Sequence, residues 1–85
     1  MQILISRNAE KQLEGLPKEV RARIKEIFVI LREEGMSSAI EIRRLRGLKG
    51  HYRLRIGKYR VRFEFEKPDT IKIYWIGPRS QAYKD

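Results

Sequence analysis

Cysteine is absent from the 85-residue sequence, which excludes disulfide bonds and thiolate metal sites. Long apolar runs are also absent. The N-terminal stretch MQILISRNAE is interrupted by Arg7 and Glu10 too soon to form a signal peptide or a membrane span. We therefore expect a soluble cytoplasmic protein. A chain this short supports one modest core, so residues 1–85 are expected to form a single domain.

Acidic residues are scarce in the second half of the chain. Residues 1–42 contain seven Lys/Arg and seven Asp/Glu, whereas residues 43–85 contain thirteen and four. The whole formal charge of +9 therefore lies in the second half. A concentrated positive field attracts polyanions and speeds their encounter. Nucleic acid or the ribosome is the leading class of partner.

The first half of the sequence has the pattern of a strand followed by two helices. Residues 2–6, QILIS, suit a short strand, and Ser6 stands where the N-cap of a short helix through Leu13 would be. A second helix is predicted from Leu16-Pro17 to about Gly35. Its apolar residues recur at spacings of three and four: Val20, Ile24, Ile27, Phe28 and Leu31.

The second half changes to a period of two after an ambiguous segment. Residues 39–50, AIEIRRLRGLKG, suit either a ragged helical turn or an irregular strand. From His51 onward, alternation predicts three strands separated by turns at Gly57-Lys58 and Lys67-Pro68-Asp69. Two helices packed on an antiparallel sheet make an α+β fold.

Arginines occupy one parity of this sheet. If the apolar side chains face the helices, four arginines face the other way: Arg53, Arg55, Arg60 and Arg62. Lys72 and Tyr74 are expected beside them. A sheet face made soluble with arginine is the alternative, but like charges on neighbouring strands repel by roughly several tenths of a kcal/mol per pair. Arginine donates two parallel hydrogen bonds to phosphate and stacks on bases, so the face is predicted to bind single-stranded RNA.

Other residues are less informative. Arg43, Arg44, Arg46 and Lys49 suit either a solvated basic loop or a grip on ribosomal RNA, and both interpretations stay open. Trp75 is predicted to lie in the core, because its strand is apolar. His51, the single histidine, is predicted to lie in a glycine-flanked loop without a role. The carboxylates have no metal-ligand spacing.

Four motifs of the second half occur together in a specific order. They are Leu45-Arg46-Gly47, Tyr52-Arg53-Leu54-Arg55, Gly57-Lys58-Tyr59-Arg60, and Gly77-Pro78-Arg79 followed by Tyr83. In order and spacing they resemble the C-terminal half of the RelE/ParE toxin superfamily, and the N-terminal pattern fits the same family. The resemblance implies a β-α-α-β-β-β fold and a toxin of a type II toxin–antitoxin pair, in one RelE-like domain.

Members of that superfamily act in two ways. RelE-like members cut mRNA in the ribosomal A site, and ParE-like members inhibit DNA gyrase. The ending with Arg79 and Tyr83 resembles the RelE type. By position the resemblance implies a catalytic set of Arg53, Arg55, Arg60, Arg79 and Tyr83. The expected RNA-binding set is Arg43, Arg44, Arg46, Lys49, Arg62, Lys72 and Tyr74. The expected partners are the ribosome, mRNA and a RelB-like antitoxin that is acidic or helical; no membrane, metal or cofactor is implied.

The chemistry of metal-free RNA cleavage separates the roles of these residues. The 2′-hydroxyl attacks the adjacent phosphorus, so the site must take a proton and offset added negative charge. Guanidinium groups suit the second task but stay protonated, which leaves Tyr83 as the candidate base unless it stacks on a nucleobase. In well-known RelE members positions 53 and 55 are lysines, and position 78 is often histidine or lysine. This sequence has arginine at both of the first two positions and proline at the third. Proton transfer then uses Tyr83, Lys84, or a ribosomal or RNA group, or the protein binds RNA and cleaves it weakly.

Overall fold

A computed structural model describes residues 1–36 and 41–82 and confirms the α+β class. In chain order the elements are β1 (Gln2–Ile5), α1 (Arg7–Glu14), α2 (Lys18–Glu34), β2 (Ile42–Arg44), β3 (His51–Ile56), β4 (Tyr59–Glu66), β5 (Thr70–Pro78) and α3 (Arg79–Ala82). The ambiguous segment thus contains the short strand β2, and a third helix, α3, follows the last strand. None of the helices in the described ranges is long and apolar enough to cross a membrane.

Local signals in the sequence set the helix boundaries. The Ser6 side chain accepts a hydrogen bond from the Ala9 N–H at 3.0 Å, which caps α1 as predicted. Pro17 precedes α2, where its missing N–H costs nothing. Gly35 ends α2 with a φ of 72°, a conformation that suits glycine. The boundaries predicted for both helices are therefore confirmed to within a residue or two.

The strands form one sheet in the order β1-β5-β4-β3-β2. The β3–β4 and β4–β5 pairs are antiparallel, as predicted, and β2 also pairs antiparallel with β3, whereas β1 pairs in parallel with β5. The sheet is consequently mixed. β1 is the edge strand beside β5. The sequence pattern of β1 does not indicate whether it runs parallel or antiparallel to its neighbour.

The core lies between the sheet and the two longer helices. The fully buried residues alternate along β3, β4 and β5 and recur on one side of each helix. They are Ala9, Leu13, Ile24, Leu31, Leu54, Ile56, Val61, Phe63, Ile71, Ile73 and Ile76. The side of the sheet that faces away from α1 and α2 is called the outer face below.

One irregularity in β5 changes which residues reach the outer face. Arg62 pairs with Trp75, but the next residue, Phe63, pairs with Ile73, so Tyr74 is an extra residue in a β-bulge. After the bulge Ile76 is buried, while Trp75 lies opposite Arg62. The prediction that Trp75 lies in the core is wrong, because strict alternation from Ile73 does not survive the inserted residue.

Candidate functional site

Arginines from four elements meet at one end of the outer face. The strand register places Arg43 opposite Arg53 and Arg55 opposite Arg60, and paired residues share a face. With Glu41, these side chains line a narrow cleft of about 150 Å³. The arginine cluster is Arg43, Arg53, Arg55, Arg60 and Arg79. The predicted face therefore exists, and it is a cleft rather than a flat platform.

Arg60 is the fixed member of the cluster. Arg60 lies on β4, the middle strand of the sheet, and is only 3% exposed. Its Nη1 donates hydrogen bonds to the carbonyl oxygens of Gly57, at 2.9 Å, and Tyr59, at 2.8 Å. A buried charge is retained only where polar groups replace water, and the turn between β3 and β4 supplies them. Arg60 thus brings a positive charge to the cleft at a set position.

A single carboxylate faces these five guanidinium groups among the described lining residues. The Glu41 carboxylate lies 3.6 Å from Arg55 Nε, and both side chains are more than half exposed. An exposed pair of this kind contributes little, typically below about 1 kcal/mol, and an incoming anion can replace it. The cleft keeps a strong excess of positive charge.

The cleft opens towards the turn between β3 and β4. Arg55, Arg60 and Arg79 also border a wider basin of about 720 Å³. The Arg79 N–H donates to the Lys58 carbonyl at 2.8 Å, which fixes the start of α3 beside that turn. The narrow cleft suits one phosphate group, and the basin leaves room for the chain attached to it.

Arg62 and Trp75 lie next to the cluster on the outer face. The Arg62 guanidinium carbon is 5.5 Å from the centroid of the Trp75 ring, a cation–π arrangement. The ring packs over Gly77: a Cβ atom there would lie 2.8 Å from two ring carbons. Glycine is therefore required at position 77 for this packing. The tryptophan that the sequence assigned to the core supports an arginine of the site.

Lys72 and Tyr74 also lie on the outer face, as predicted, but in a different setting. Lys72 forms an ion pair with Glu66, and a hydrogen bond to that carboxylate raises the lysine pKa. Burial raises the pKa of Tyr74; the charge of Glu64 adds to this, and the Arg62 charge opposes it. These groups are matched with acidic neighbours, unlike the arginine cluster.

The sequence prediction missed His51. It is the first residue of β3 rather than part of a loop. Its Nε2 lies 3.1 Å from a Glu64 carboxylate oxygen, and its Nδ1 lies 3.1 Å from the Tyr74 hydroxyl. The signal was available, because His51 has the same parity as Arg53 and Arg55 and must share their face.

The remaining predicted residues are dispersed. Arg44 pairs with Tyr52 and so lies on the opposite face from Arg43. Arg46 and Lys49 are exposed in the turn between β2 and β3. Tyr83, the predicted base, and Lys84 lie outside the described residues. Within residues 1–36 and 41–82, no group of three or more His, Cys, Asp and Glu side chains is placed to hold a metal ion.

Comparison with known proteins assigns the family. The model of the ParE toxin of the type II toxin-antitoxin system, parDE, matches residues 3–83. The chain belongs to the RelE/ParE toxin superfamily. It is thus a toxin of the type II class, as its motifs suggested.

Individual relatives support this assignment over nearly the whole chain. Toxin RelE3 of Methanocaldococcus jannaschii is 30% identical over 89 residues, which are 98% of this chain and 96% of that protein. A chain of the RelE–RelB complex from Pyrococcus horikoshii is 31% identical, with a TM-score of 0.79 and coverage of 94% and 96%. A chain of the RelB–RelE complex from Methanococcus jannaschii is 27% identical, with a TM-score of 0.80 and coverage of 94% of both. These relatives show that the chain is RelE-like, and the two solved structures share its fold.

Proposed function

We propose that this toxin is a cytoplasmic, ribosome-dependent endoribonuclease that cleaves mRNA in the A site. The observation that carries the proposal is the convergence of the five side chains of the arginine cluster on one narrow cleft. Such a cleft suits a phosphate group of a polyanion, because guanidinium forks match phosphate oxygens and five positive charges exceed what a single carboxylate would offset. The ribosome and mRNA are the corresponding partners.

The proposed reaction is attack of a 2′-hydroxyl on the adjacent phosphorus. The O2′–P bond forms, the P–O5′ bond breaks, and the products are a cyclic phosphate and a 5′-hydroxyl. The 2′-hydroxyl gives up a proton, and the departing 5′ oxygen takes one. Negative charge accumulates on the non-bridging oxygens, and preorganised donors stabilise it most effectively. Arg60, already fixed by two carbonyl groups, suits that task.

The roles of individual residues follow from this chemistry. Arg53, Arg55 and Arg79 are assigned to the scissile phosphate together with Arg60, and Tyr83 is assigned to proton transfer. Because guanidinium groups supply the positive charge, the reaction is proposed to need no metal. A longer RNA track would use other basic or aromatic residues of the outer face and the β2–β3 turn: Arg43, Arg46, Lys49, Arg62, Lys72 and Tyr74. Arg44 lies on the other face and is not part of this track.

A cognate antitoxin is the second proposed partner. Two of the similar structures are antitoxin–toxin complexes. A RelB-like partner that is acidic, or that carries an amphipathic helix, would complement a chain whose basic excess lies in its second half. Salt-sensitive association with such a partner, and loss of toxicity in its presence, are the expected results.

Toeprinting on programmed ribosomes tests the nuclease proposal directly. The protein is compared with Arg79→Ala and Tyr83→Phe, with and without ribosomes, and Arg32→Ala on α2 serves as a control away from the outer face. Cleavage within the A-site codon that requires ribosomes and falls in the first two variants is expected. Full translation with excess protein would exclude the proposal.

Inhibition of DNA gyrase is the second candidate, favoured by the match to the ParE model. It predicts gyrase-dependent DNA cleavage complexes without any cut in mRNA. Their absence at high toxin concentration would argue against this candidate. Salt-sensitive RNA binding without cut products in either assay would instead indicate a catalytically weak RNA-binding module.

A further inference from the structure

A second cleft lies on the outer face, at the side where β1 joins the sheet. Its volume is about 700 Å³, and it is separate in its lining from the narrow arginine cleft. Apolar and polar groups both contribute to its wall. The lining residues used below are Leu4, Leu48, His51, Arg62, Glu64 and Tyr74.

Three polar side chains form a hydrogen-bonded row in this cleft. The His51 ring lies between the Glu64 carboxylate and the Tyr74 hydroxyl, at 3.1 Å from each. A carboxylate only accepts, so in the neutral imidazole Nε2 carries the proton and Nδ1 accepts the Tyr74 O–H. Histidine therefore holds the Glu64 carboxylate in a set orientation. The Glu64 side chain is still 40% exposed, and a carboxylate has about four acceptor sites, so most of its capacity remains available.

The apolar wall of the cleft suits a flat ring. Leu4 and Leu48 are large apolar residues that are about half exposed, both at 51%. The Tyr74 ring also lines the cleft, where it meets the His51 ring edge-on. A nucleobase has two apolar faces and a polar edge, and single-stranded RNA is recognised by covering the first and hydrogen-bonding the second.

The cleft lies next to the proposed phosphate site. Arg62 borders the cleft and pairs across the ladder with Arg53, a member of the arginine cluster. A nucleotide whose phosphate lies at the cluster can thus extend its base along β4 towards Glu64. Arg62 and Lys72 also line the cleft, and their charges offset the repulsion between the carboxylate and the RNA backbone.

We propose that this cleft binds the base of a nucleotide next to the scissile phosphate, and that Glu64, oriented by His51, selects guanine. Guanine is the base whose Watson–Crick edge presents two adjacent donors, N1–H and the N2 amino group, to a carboxylate. Adenine and cytosine present one donor group beside an acceptor, and uracil presents one donor between two acceptors. The proposal rests on the nuclease function proposed above, since it concerns the same RNA.

Binding of single nucleotides provides the first test. Guanosine 5′-monophosphate is titrated into ¹⁵N-labelled protein, followed by inosine 5′-monophosphate, which lacks only the N2 amino group. We expect amide shifts at His51, Glu64 and Tyr74 with the guanosine nucleotide, and binding weaker by about tenfold with the inosine nucleotide, as for loss of a charged hydrogen bond. Equal affinity for the guanosine and inosine nucleotides, or amide shifts confined to the arginine cluster, would overturn the proposal.

Two variants keep the test independent of folding. Glu64→Gln is expected to remove the difference between guanosine and inosine nucleotides, and Leu48→Ser, in an exposed turn, is expected to weaken both equally. Glu66→Gln is the matched control, because it makes the same change on the same strand and face outside the cleft. Its ion-pair partner Lys72 lines the cleft, so the affinity for both nucleotides can change together, but the difference between them is expected to remain. A guanosine preference that persists in Glu64→Gln would contradict the assignment.

Toeprinting across many codons separates this proposal from the nuclease proposal. Ribosome-dependent cuts that favour guanine next to the cut in the parent protein, and lose that preference in Glu64→Gln, support both. Cuts with no base preference in either protein would overturn the pocket and leave the nuclease intact. Nucleotide binding at the cleft without any cut would do the reverse. If amide shifts at His51, Glu64 and Tyr74 appear on adding antitoxin and no nucleotide produces them, the cleft is a protein contact and the proposal is overturned.

Discussion

The two ends of the outer face differ in how their charged side chains are paired. Along β4 the outward residues read Arg60, Arg62, Glu64 and Glu66, so the sign of the charge reverses halfway. At the end with the glutamates, each carboxylate has a partner within the protein: His51 lies beside Glu64, and Lys72 lies beside Glu66. At the other end the described cleft lining sets one carboxylate, that of Glu41, against five arginines.

The difference indicates what each end is built to meet. A sheet face that only needs to be soluble can pair its charges, as the glutamate end does. The arginine end keeps repulsive pairs such as Arg53 with Arg62 and Arg55 with Arg60 directly across the ladder. Such repulsion is relieved when an external anion binds. The comparison therefore supports the proposal that phosphate binds at the arginine end of the outer face.

The largest expected effect is at Arg60. Arg60→Ala removes the buried charge together with both hydrogen bonds to the turn, so we expect ribosome-dependent cleavage to be lost and the free energy of unfolding to fall by about 1–3 kcal/mol. Arg60→Lys retains a charge but not the fork. Urea denaturation and toeprinting measure the two effects, with Arg32→Ala as the surface control. Full activity in Arg60→Ala would show that the arginine end has another purpose.

The next effect concerns the support beneath Arg62. In Gly77→Ala the new Cβ collides with the Trp75 ring, and we expect destabilisation by about 1–3 kcal/mol, as for overpacking. Because Trp75 is the single tryptophan, its fluorescence reports the displacement of the ring directly. Gly15→Ala is a suitable control, since its Cβ would meet only ordinary contacts at 3.6 and 3.7 Å. Unchanged fluorescence in Gly77→Ala would contradict the packing.

A smaller effect is expected at Glu41. Glu41→Gln removes the carboxylate beside Arg55, which should tighten binding of single-stranded RNA by about two- to fivefold, in line with the value of an exposed ion pair. The unfolding free energy should change by less than about 0.5 kcal/mol. Fluorescence anisotropy at two salt concentrations measures the affinity. The gain in affinity should shrink at high salt, where exposed charges are screened. Weaker binding in this variant would contradict the view that the arginine end is built to bind an anion.

The smallest effect is a pH dependence at the glutamate end. The pKa of Lys72 is raised in the folded protein, so its contribution is complete below the unfolded pKa and is lost as the pH rises through the folded pKa, above 10.5. The raised pKa of Tyr74 acts in the same direction, above 10.0. Urea midpoints between about pH 9 and 11.5 should fall less steeply in Lys72→Gln than in the parent. Identical slopes would contradict the Lys72 contribution.

Local patterns in the sequence predicted much of this molecule. Ser6, Pro17 and Gly35 mark helix boundaries through backbone chemistry that acts within a few residues. Alternation along His51 to Glu66 predicted the shared face of the arginines, because neighbouring side chains of a strand point to opposite sides. The ordered motifs indicated the family, and the comparisons confirmed it.

The errors concern residues whose face depends on pairing with another strand. The extra residue Tyr74 shifts the phase of β5, which moves Trp75 to the outer face and Ile76 into the core. The short strand β2 separates Arg43 from Arg44, although the two are adjacent in sequence. Neither outcome follows from composition or spacing, because each depends on pairing with a strand elsewhere in the chain.

Local properties of the sequence, namely propensity, charge and alternation, are sufficient to predict the α+β class, the basic second half and the arginine face. The folded chain adds that Arg60 is buried at one end of that face, that the arginines enclose a cleft, and that Glu64, His51 and Tyr74 form a row on the same face. These features bring together residues far apart in the chain. Strand register and the β5 bulge bring them together through hydrogen bonds between strands, which the order of residues along any one strand does not specify.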